Sequence, residues 1–142
     1  MVITSNSFDF AIVGGGIVGL SCAYKLQVEY PKLNIVLFEK GQTLAAHQTG
    51  RNSGVIHSGL YYRPGSFRAK NCVNGRKQLV EFAKKYNIKH DVCGKVVVAV
   101  TPDEVERLEK ICETGKANGL EGIEKIDDIR LKEIEPYVEG IA

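Results

Sequence analysis

The sequence predicts an α/β fold, because residues 8–40 contain an apolar strand, a glycine-rich turn, a helix and a second apolar strand in that order. Residues 10–13 form a short apolar run stopped by glycine, which is typical of a parallel strand buried on both faces. Residues 35–38 repeat the apolar run, so a helix joins two strands of the kind found in a Rossmann-like βαβ unit.

The glycine-rich turn predicts a site for the pyrophosphate of a dinucleotide. Gly14, Gly16 and Gly19 fit the pattern G-x-G-x-x-G. The first glycine permits the tight turn, the second lets the pyrophosphate approach the backbone, and the third lets helix and strand pack closely.

The predicted helix and second strand complete this unit. Apolar side chains recur at helical spacing and should cover the sheet, and Pro31 should end the helix; the apolar positions are Ile17, Leu20, Tyr24 and Val28. Glu39 follows the second strand, where a carboxylate can accept hydrogen bonds from ribose hydroxyls. A carboxylate there also argues against a 2′-phosphate. The unit alone does not distinguish NAD from FAD.

Residues 41–65 form a long glycine-rich and polar segment without helical or strand periodicity. Because residues 55–62 are rich in aromatic and aliphatic side chains, we expect an ordered loop rather than disorder. Thr49, Arg51, Asn52, Ser53 and the amides near Gly54 are candidate donors to phosphate or to a flavin ring. The alternative is a surface loop that packs only on itself.

The remaining segments predict a helix at residues 67–86, a β-branched strand at 92–100, a helix at 101–118 that begins with a capping box, and a short helix at 128–135. Gly75 lies inside the first of these helices, which suggests a close contact there. Only two adjacent parallel strands are clearly supplied. We therefore expect the chain to be the N-terminal part of a larger protein.

Composition gives few functional signals. The 142-residue chain has a formal charge of +2, and its basic residues suggest a solvated helix face rather than nucleic-acid binding. The four cysteines are widely spaced without a metal-binding pattern, so we expect no zinc site and a reducing compartment. Residues 1–7 are too short and polar for a signal peptide. The expected location is the cytoplasm, with peripheral attachment to the inner face of a membrane as an alternative.

The segment His-Gln-Thr-Gly-Arg-Asn-Ser-Gly-Val-Ile-His-Ser-Gly-Leu-Tyr-Tyr at residues 47–62 is more specific than the glycine turn. With Cys93-Gly94-Lys95, the turn and Glu39, it closely resembles the N-terminal portion of L-2-hydroxyglutarate dehydrogenases, in the FAD-dependent D-amino-acid-oxidase-like superfamily. The similarity extends over nearly the whole chain. It implies a Rossmann-like FAD-binding unit followed by the start of an α+β substrate domain, with residues 1–90 in the first and 91–142 in the second.

The resemblance implies that L-2-hydroxyglutarate is oxidised to 2-oxoglutarate, with FAD taking the hydride equivalent and passing electrons to a membrane quinone, another acceptor or oxygen. It implies FAD contacts at Gly14, Gly16, Ile17, Val18, Gly19, Glu39, Lys40, Gly50, Arg51, Asn52, Ser53, Gly54, Val55 and His57. His57 is expected near the isoalloxazine ring or covalently attached to it; otherwise it is an ordinary hydrogen-bonded loop histidine. The catalytic base and the arginine that holds substrate are expected beyond residue 142.

Three alternatives remain at this point. The same superfamily oxidises glycerol 3-phosphate, sarcosine, glycine and D-amino acids, and the residues that choose between these substrates are expected further along the chain. The chain could also be an inactive nucleotide-binding fragment. A plain NAD-dependent dehydrogenase is the third reading. Within this chain, Tyr61, Tyr62 and Lys95 are the local candidates for contact with substrate, and the favoured alternative for each is a packing or surface role.

Overall fold

The computed structural model describes residues 7–142 and divides the chain into two compact units, Met1–Val55 and Ile56–Ala142. In the first unit, strand β1 (Phe10–Val13), helix α1 (Ile17–Glu29) and strand β2 (Ile35–Phe38) follow in order. The second unit contains helices α2 (Phe67–Lys85), α3 (Pro102–Ala117) and α4 (Asp128–Ile134). The predicted α/β class is confirmed, and the division near residue 90 stays a prediction.

Strands β1 and β2 form a parallel, two-stranded sheet in which Phe10 pairs with Ile35 and Val13 with Phe38. The start of the pair is fixed by Asp9, whose carboxylate accepts a hydrogen bond from the Asn34 amide at 2.8 Å. Both strands have the bounds predicted from their apolar runs. Because parallel strands end at the same edge, this register brings the residues after Val13 beside those after Phe38.

The predicted burial of these strands on both faces is wrong for the described residues. Val13 is 87% exposed, Phe38 57% and Phe10 48%. In a two-stranded sheet each strand has only one neighbour, and a single helix cannot cover both faces. Apolar composition therefore predicted the strands correctly but overestimated how much of them this chain covers.

Helix α1 begins after Gly16, which is its N-cap, and ends at the C-cap Tyr30, one residue before the proline predicted to stop it. Its apolar stripe is only partly covered. Leu20 and Tyr24 are half-buried, whereas Ile17 is 54% exposed and Val28 60% exposed. The helix therefore packs on the sheet through the middle of its stripe.

The helices of the second unit begin at side-chain caps. Ser66 accepts a hydrogen bond from the Ala69 amide at the start of α2, and Asp127 accepts one from the Arg130 amide at the start of α4. Glu104 of the predicted capping box accepts hydrogen bonds from the amides that precede α3. Among the described residues of this unit, the buried apolar side chains are three alanines and two leucines, namely Ala69, Ala83, Ala99, Leu120 and Leu131.

Two predictions for this unit are wrong. Residues 92–100 form no regular strand, although Ala99 exchanges two backbone hydrogen bonds with Ile141 and Ala142. β-branched side chains favour an extended backbone, but a strand also needs a neighbour along its length, and here the pairing is confined to Ala99. At Gly75, a Cβ atom would meet nothing within 4 Å among the described residues, so this glycine marks no close contact.

Candidate functional site

The strand register places the Glu39 carboxylate directly against the glycine turn. The Gly14 amide donates to the Phe38 carbonyl at 2.7 Å, which extends the sheet ladder one residue into the turn. Beyond it, one oxygen of Glu39 accepts from the Gly15 amide at 2.7 Å, and the other accepts from the Gly41 amide at 2.8 Å. The acid predicted to hold ribose is thus fixed beside the turn predicted to hold pyrophosphate.

These hydrogen bonds also set the charge of Glu39. The amides of Gly41 and Gly15 stabilise the ionised carboxylate and lower the pKa of Glu39 below its ordinary value. The group is therefore ionised at neutral pH. Each carboxylate oxygen can accept more than one hydrogen bond, so both oxygens keep capacity to accept from hydroxyl groups of a ribose.

The glycines of the turn occupy positions where a side chain would be costly. Gly14 has a φ of 106°, in the region that favours glycine. A Cβ atom on Gly19 would lie 2.0 Å from the Gly14 carbonyl oxygen, so only glycine allows α1 to approach β1 this closely. At Gly16 such a Cβ atom would lie 3.2 Å from the Thr49 hydroxyl oxygen.

Thr49 supplies the side-chain cap that α1 lacks. The N-cap residue Gly16 has no side chain, but the Thr49 hydroxyl accepts a hydrogen bond from the Ile17 amide at 2.9 Å. Nearby, the Ala45 amide donates to the Gly15 carbonyl at 2.9 Å. The sequence indicated Thr49 only as one of several loop donors, because no short-range pattern links a loop threonine to a helix that begins 32 residues earlier.

Hydrogen bonds within residues 48–54 hold the loop, and whether it also faces a ligand stays a prediction. The Asn52 side chain donates to the carbonyls of Gln48 and Thr49, at 3.0 and 2.8 Å, and accepts from the Gly54 amide at 2.7 Å. At Gly50 a Cβ atom would lie 2.5 Å from the Ala45 carbonyl oxygen. The Asn52 amide thus holds the shape of the loop, and its contact with a cofactor stays a prediction.

The other predicted cofactor residues are placed with less constraint. Val18 is 75% exposed in the first turn of α1, and Val55 is 59% exposed at the end of the loop. Lys40, Arg51 and Ser53 also have exposed side chains. Their contacts with a cofactor stay predictions.

His57 belongs to the second unit, where its side chain is exposed. Its backbone carbonyl accepts a hydrogen bond from the Cys72 thiol of α2 at 3.3 Å. This contact fixes the backbone at residue 57 rather than the imidazole ring. A role of His57 beside a flavin, covalent or not, stays a prediction.

Comparison with known proteins decides the family. The family model described as FAD dependent oxidoreductase matches residues 9–142. The chain belongs to that family. FAD is therefore favoured over the NAD alternative.

Relatives within this family are similar along most of the chain. It is 48% identical to an L-2-hydroxyglutarate dehydrogenase of Indibacter alkaliphilus over 95% of this chain and 34% of that protein. It is 47% identical to the mitochondrial L-2-hydroxyglutarate dehydrogenase of Homo sapiens over 97% of this chain and 30% of that protein. The resemblance to the N-terminal portion of these dehydrogenases is confirmed. The chain spans about a third of the length of the curated relatives it matches.

A solved structure supports the same assignment. The FAD-bound, dithionite-reduced L-alpha-glycerophosphate oxidase from Mycoplasma pneumoniae matches with a TM-score of 0.77 and 32% identity, over 93% of this chain and 35% of that one. That oxidase thus shares this backbone arrangement and is bound to FAD.

The residues of the first unit fit FAD. The pyrophosphate would need amide donors at a helix start; the N-cap Gly16 of α1 has no side chain, although the Ile17 amide already donates to the Thr49 hydroxyl. The adenosine ribose would need an acceptor at the end of the second strand, and ionised Glu39 would be that acceptor. In the described part of the chain, no group of three potential metal-binding side chains occurs, and no helix is long and apolar enough to cross a membrane.

Proposed function

We propose that the protein carrying this chain oxidises L-2-hydroxyglutarate to 2-oxoglutarate, with FAD as the first electron acceptor. The observation that carries this proposal is the 47–48% identity to L-2-hydroxyglutarate dehydrogenases over at least 95% of the chain. The glycerophosphate oxidase of known structure is less similar, at 32% identity. The greater similarity to the dehydrogenases favours a 2-hydroxy dicarboxylate as substrate.

In this reaction the flavin supplies an acceptor for the hydride of the substrate's hydroxyl-bearing carbon. The residues of this chain bind and orient the adenosine diphosphate part of FAD. The amides at the start of α1 donate to the pyrophosphate, and Glu39 accepts from ribose hydroxyls. Thr49 holds the first turn of α1 through the Ile17 amide and retains its own hydroxyl proton for donation to a phosphate oxygen.

The loop at residues 50–55 is proposed to line the pyrophosphate and ribityl part of FAD, and His57 is proposed to lie near the isoalloxazine ring. The internal hydrogen bonds of Asn52 support the first proposal, because they hold the loop in one shape. We also propose that the substrate domain starts near residue 91, and that the catalytic base belongs to residues beyond 142.

The electrons of the reduced flavin must then leave the protein. We propose a membrane quinone or a related acceptor, with the protein cytoplasmic or attached peripherally to the inner face of a membrane. Reconstitution with quinone-containing vesicles would test this. Reduction of the quinone only in the presence of both L-2-hydroxyglutarate and the enzyme supports it, whereas transfer to oxygen alone would contradict it.

The activity is tested on the complete gene product that carries residues 1–142. Anaerobic addition of L-2-hydroxyglutarate should bleach the flavin absorbance and yield 2-oxoglutarate in equal amount, whereas D-2-hydroxyglutarate and sarcosine should not. A spectrum of the supernatant and pellet after acid precipitation shows whether FAD is covalently attached. Bound FAD that L-2-hydroxyglutarate leaves oxidised would contradict the proposed substrate.

Glycerol 3-phosphate is the second candidate substrate, because the FAD-bound structure that matches this chain is a glycerophosphate oxidase. Both substrates carry an anionic group and a secondary hydroxyl group. The residues proposed to bind the nucleotide do not contact the substrate, so they do not distinguish the two. The same anaerobic assay distinguishes the two substrates. Flavin bleaching by glycerol 3-phosphate but not by L-2-hydroxyglutarate would replace the first proposal with the second.

A further inference from the structure

Two polar side chains from distant parts of the sequence meet in the second unit. The Lys95 ammonium nitrogen lies 2.7 Å from the Tyr61 hydroxyl oxygen and 4.4 Å from the centre of the same ring. Because the nitrogen is much closer to the oxygen than to the ring centre, we interpret the contact as a hydrogen bond rather than a cation–π interaction. Lysine has no acceptor, so Lys95 donates and the Tyr61 oxygen accepts.

This pairing leaves donors available on both partners. Lys95 uses one of its three N–H groups on Tyr61, and Tyr61 keeps its own O–H proton for donation. No carboxylate of the described residues lies within 4.0 Å of the Lys95 ammonium, whereas five other basic side chains of this unit are paired with acids. Both side chains are exposed, with Tyr61 53% exposed. A positive charge and a hydroxyl donor therefore lie side by side, open to solvent.

Asn118 holds the turn that carries Tyr61. Its side-chain amide donates to the carbonyl of Gly59 at 3.0 Å and to that of Tyr62 at 2.8 Å. Asn118 is the C-cap residue of α3, so the turn at residues 59–62 is attached to the end of that helix. Leu60 also packs against this helix at Gly115, which is buried. A Cβ atom on Gly115 would lie only 2.6 Å from the Leu60 side chain.

Helix α2 holds the same turn from another side. Gly59 is buried, has a φ of 95°, and leaves only 3.3 Å between a Cβ atom at its position and the Val73 side chain. Attachment to two helices fixes the backbone on both sides of Tyr61. Fixed donors bind an anion with a smaller loss of conformational entropy than mobile ones do.

We propose that Lys95 and Tyr61 bind one carboxylate of the substrate. The proposal rests on the proposed function, in which the substrate carries two carboxylates that each need donors. An ammonium and a phenol hydroxyl 2.7 Å apart can donate to the two oxygens of one carboxylate, and hydrogen bonds to a charged group are stronger than those between neutral groups. Asn118 is a positioning residue in this arrangement, because it contacts the turn and not the substrate.

The test compares Lys95→Met with Lys89→Met in the complete gene product. Lys89 is also exposed, six residues earlier in sequence, and makes no polar contact among the described residues, so it is the matched control. Removing Lys95 should raise the KM for L-2-hydroxyglutarate by about 10-fold to 100-fold, the effect of losing a hydrogen bond to a charged group. FAD content should stay at the wild-type level. Lys95→Arg should recover part of the loss, and Tyr61→Phe should raise KM by a smaller factor.

Glutarate binding, measured by calorimetry, separates this proposal from the proposed function because it requires no turnover. Weaker glutarate binding by Lys95→Met and Tyr61→Phe, but not by Lys89→Met, supports the site. If the wild type oxidises L-2-hydroxyglutarate while Lys95→Met keeps wild-type KM and glutarate affinity, the site is wrong and the function stands. If the FAD-loaded wild type neither oxidises L-2-hydroxyglutarate nor binds glutarate, both are wrong.

Discussion

The contact between Gly19 and Gly14 gives the most direct test of the nucleotide-binding unit. In Gly19→Ala the new methyl group would lie 2.0 Å from the Gly14 carbonyl oxygen and 3.3 Å from the Ile12 side chain. The first neighbour is backbone and cannot rotate away. Since real Cβ contacts under 3.0 Å essentially never occur, α1 and the turn must separate by about 1 Å.

A displacement of this size should be costly both to folding and to FAD binding. Overpacking of a close contact costs about 1–3 kcal/mol in the free energy of unfolding, and the amides of the turn move away from the pyrophosphate position. Gly75→Ala is the matched control, because Gly75 lies within α2 and a Cβ there meets nothing within 4 Å. That substitution should stabilise the protein by about 0.5–1 kcal/mol, since alanine is the better helix former.

The assay is urea unfolding of the complete gene product followed by circular dichroism, together with the FAD bound per chain from its visible absorbance. Gly19→Ala should lower the unfolding midpoint and the FAD content, whereas Gly75→Ala should raise the midpoint and keep the FAD. Wild-type midpoint and FAD content in Gly19→Ala would refute the argument that close packing of helix and strand forms the site.

Three further predictions concern single side chains. Because Glu39 has a pKa below its ordinary value of 4.5, its ionised form stabilises the folded turn above that pH, and this contribution is lost as pH falls through the lowered pKa. Glu39→Gln should thus lower the unfolding midpoint at neutral pH, with the difference from wild type shrinking as an acid titration passes below 4.5. Thr49→Val should weaken FAD binding and lower stability by about 0.5–2 kcal/mol, with Thr49→Ser close to wild type in equilibrium titrations. Asn118→Asp should cost about 1–3 kcal/mol in denaturant unfolding, because two carbonyls lose their donor and a carboxylate faces them; a value near zero would show that the turn does not depend on Asn118.

Elements with local signals were predictable from the sequence. The apolar runs ended by glycine and Glu39 gave both strands with their bounds, and Gly16 and Pro31 gave the limits of α1. The same holds for α3, whose start is signalled by Thr101 and Pro102. In each case the residues that set the boundary lie within a few positions of it, so the sequence alone contains the relevant interaction.

Features that depend on distant partners were not predictable in this way. The exposure of Val13 depends on how many strands flank β1. Residues 92–100 have high β-propensity, but they form no strand because no neighbouring strand pairs with them along their length. Thr49 accepts a hydrogen bond from Ile17, and Asn118 donates one to Tyr62, in both cases across more than 30 positions of sequence. Periodicity and capping patterns predict only contacts between residues close in sequence. In the candidate site the glycines and Glu39 were therefore predicted, whereas the residue that caps α1 and the one that holds the Tyr61 turn were not.

The hydrogen bonds that connect the loop, Glu39 and the glycine turn have a consequence for how the protein is made. They join residues 15 to 39, 17 to 49 and 15 to 45, so all of them close within the first unit. Synthesis proceeds from the N-terminus at about 5–20 residues per second, and short loops close far faster than that. We expect the turn to acquire its shape soon after Thr49 leaves the ribosome, because the contacts that hold it need no residue beyond Thr49.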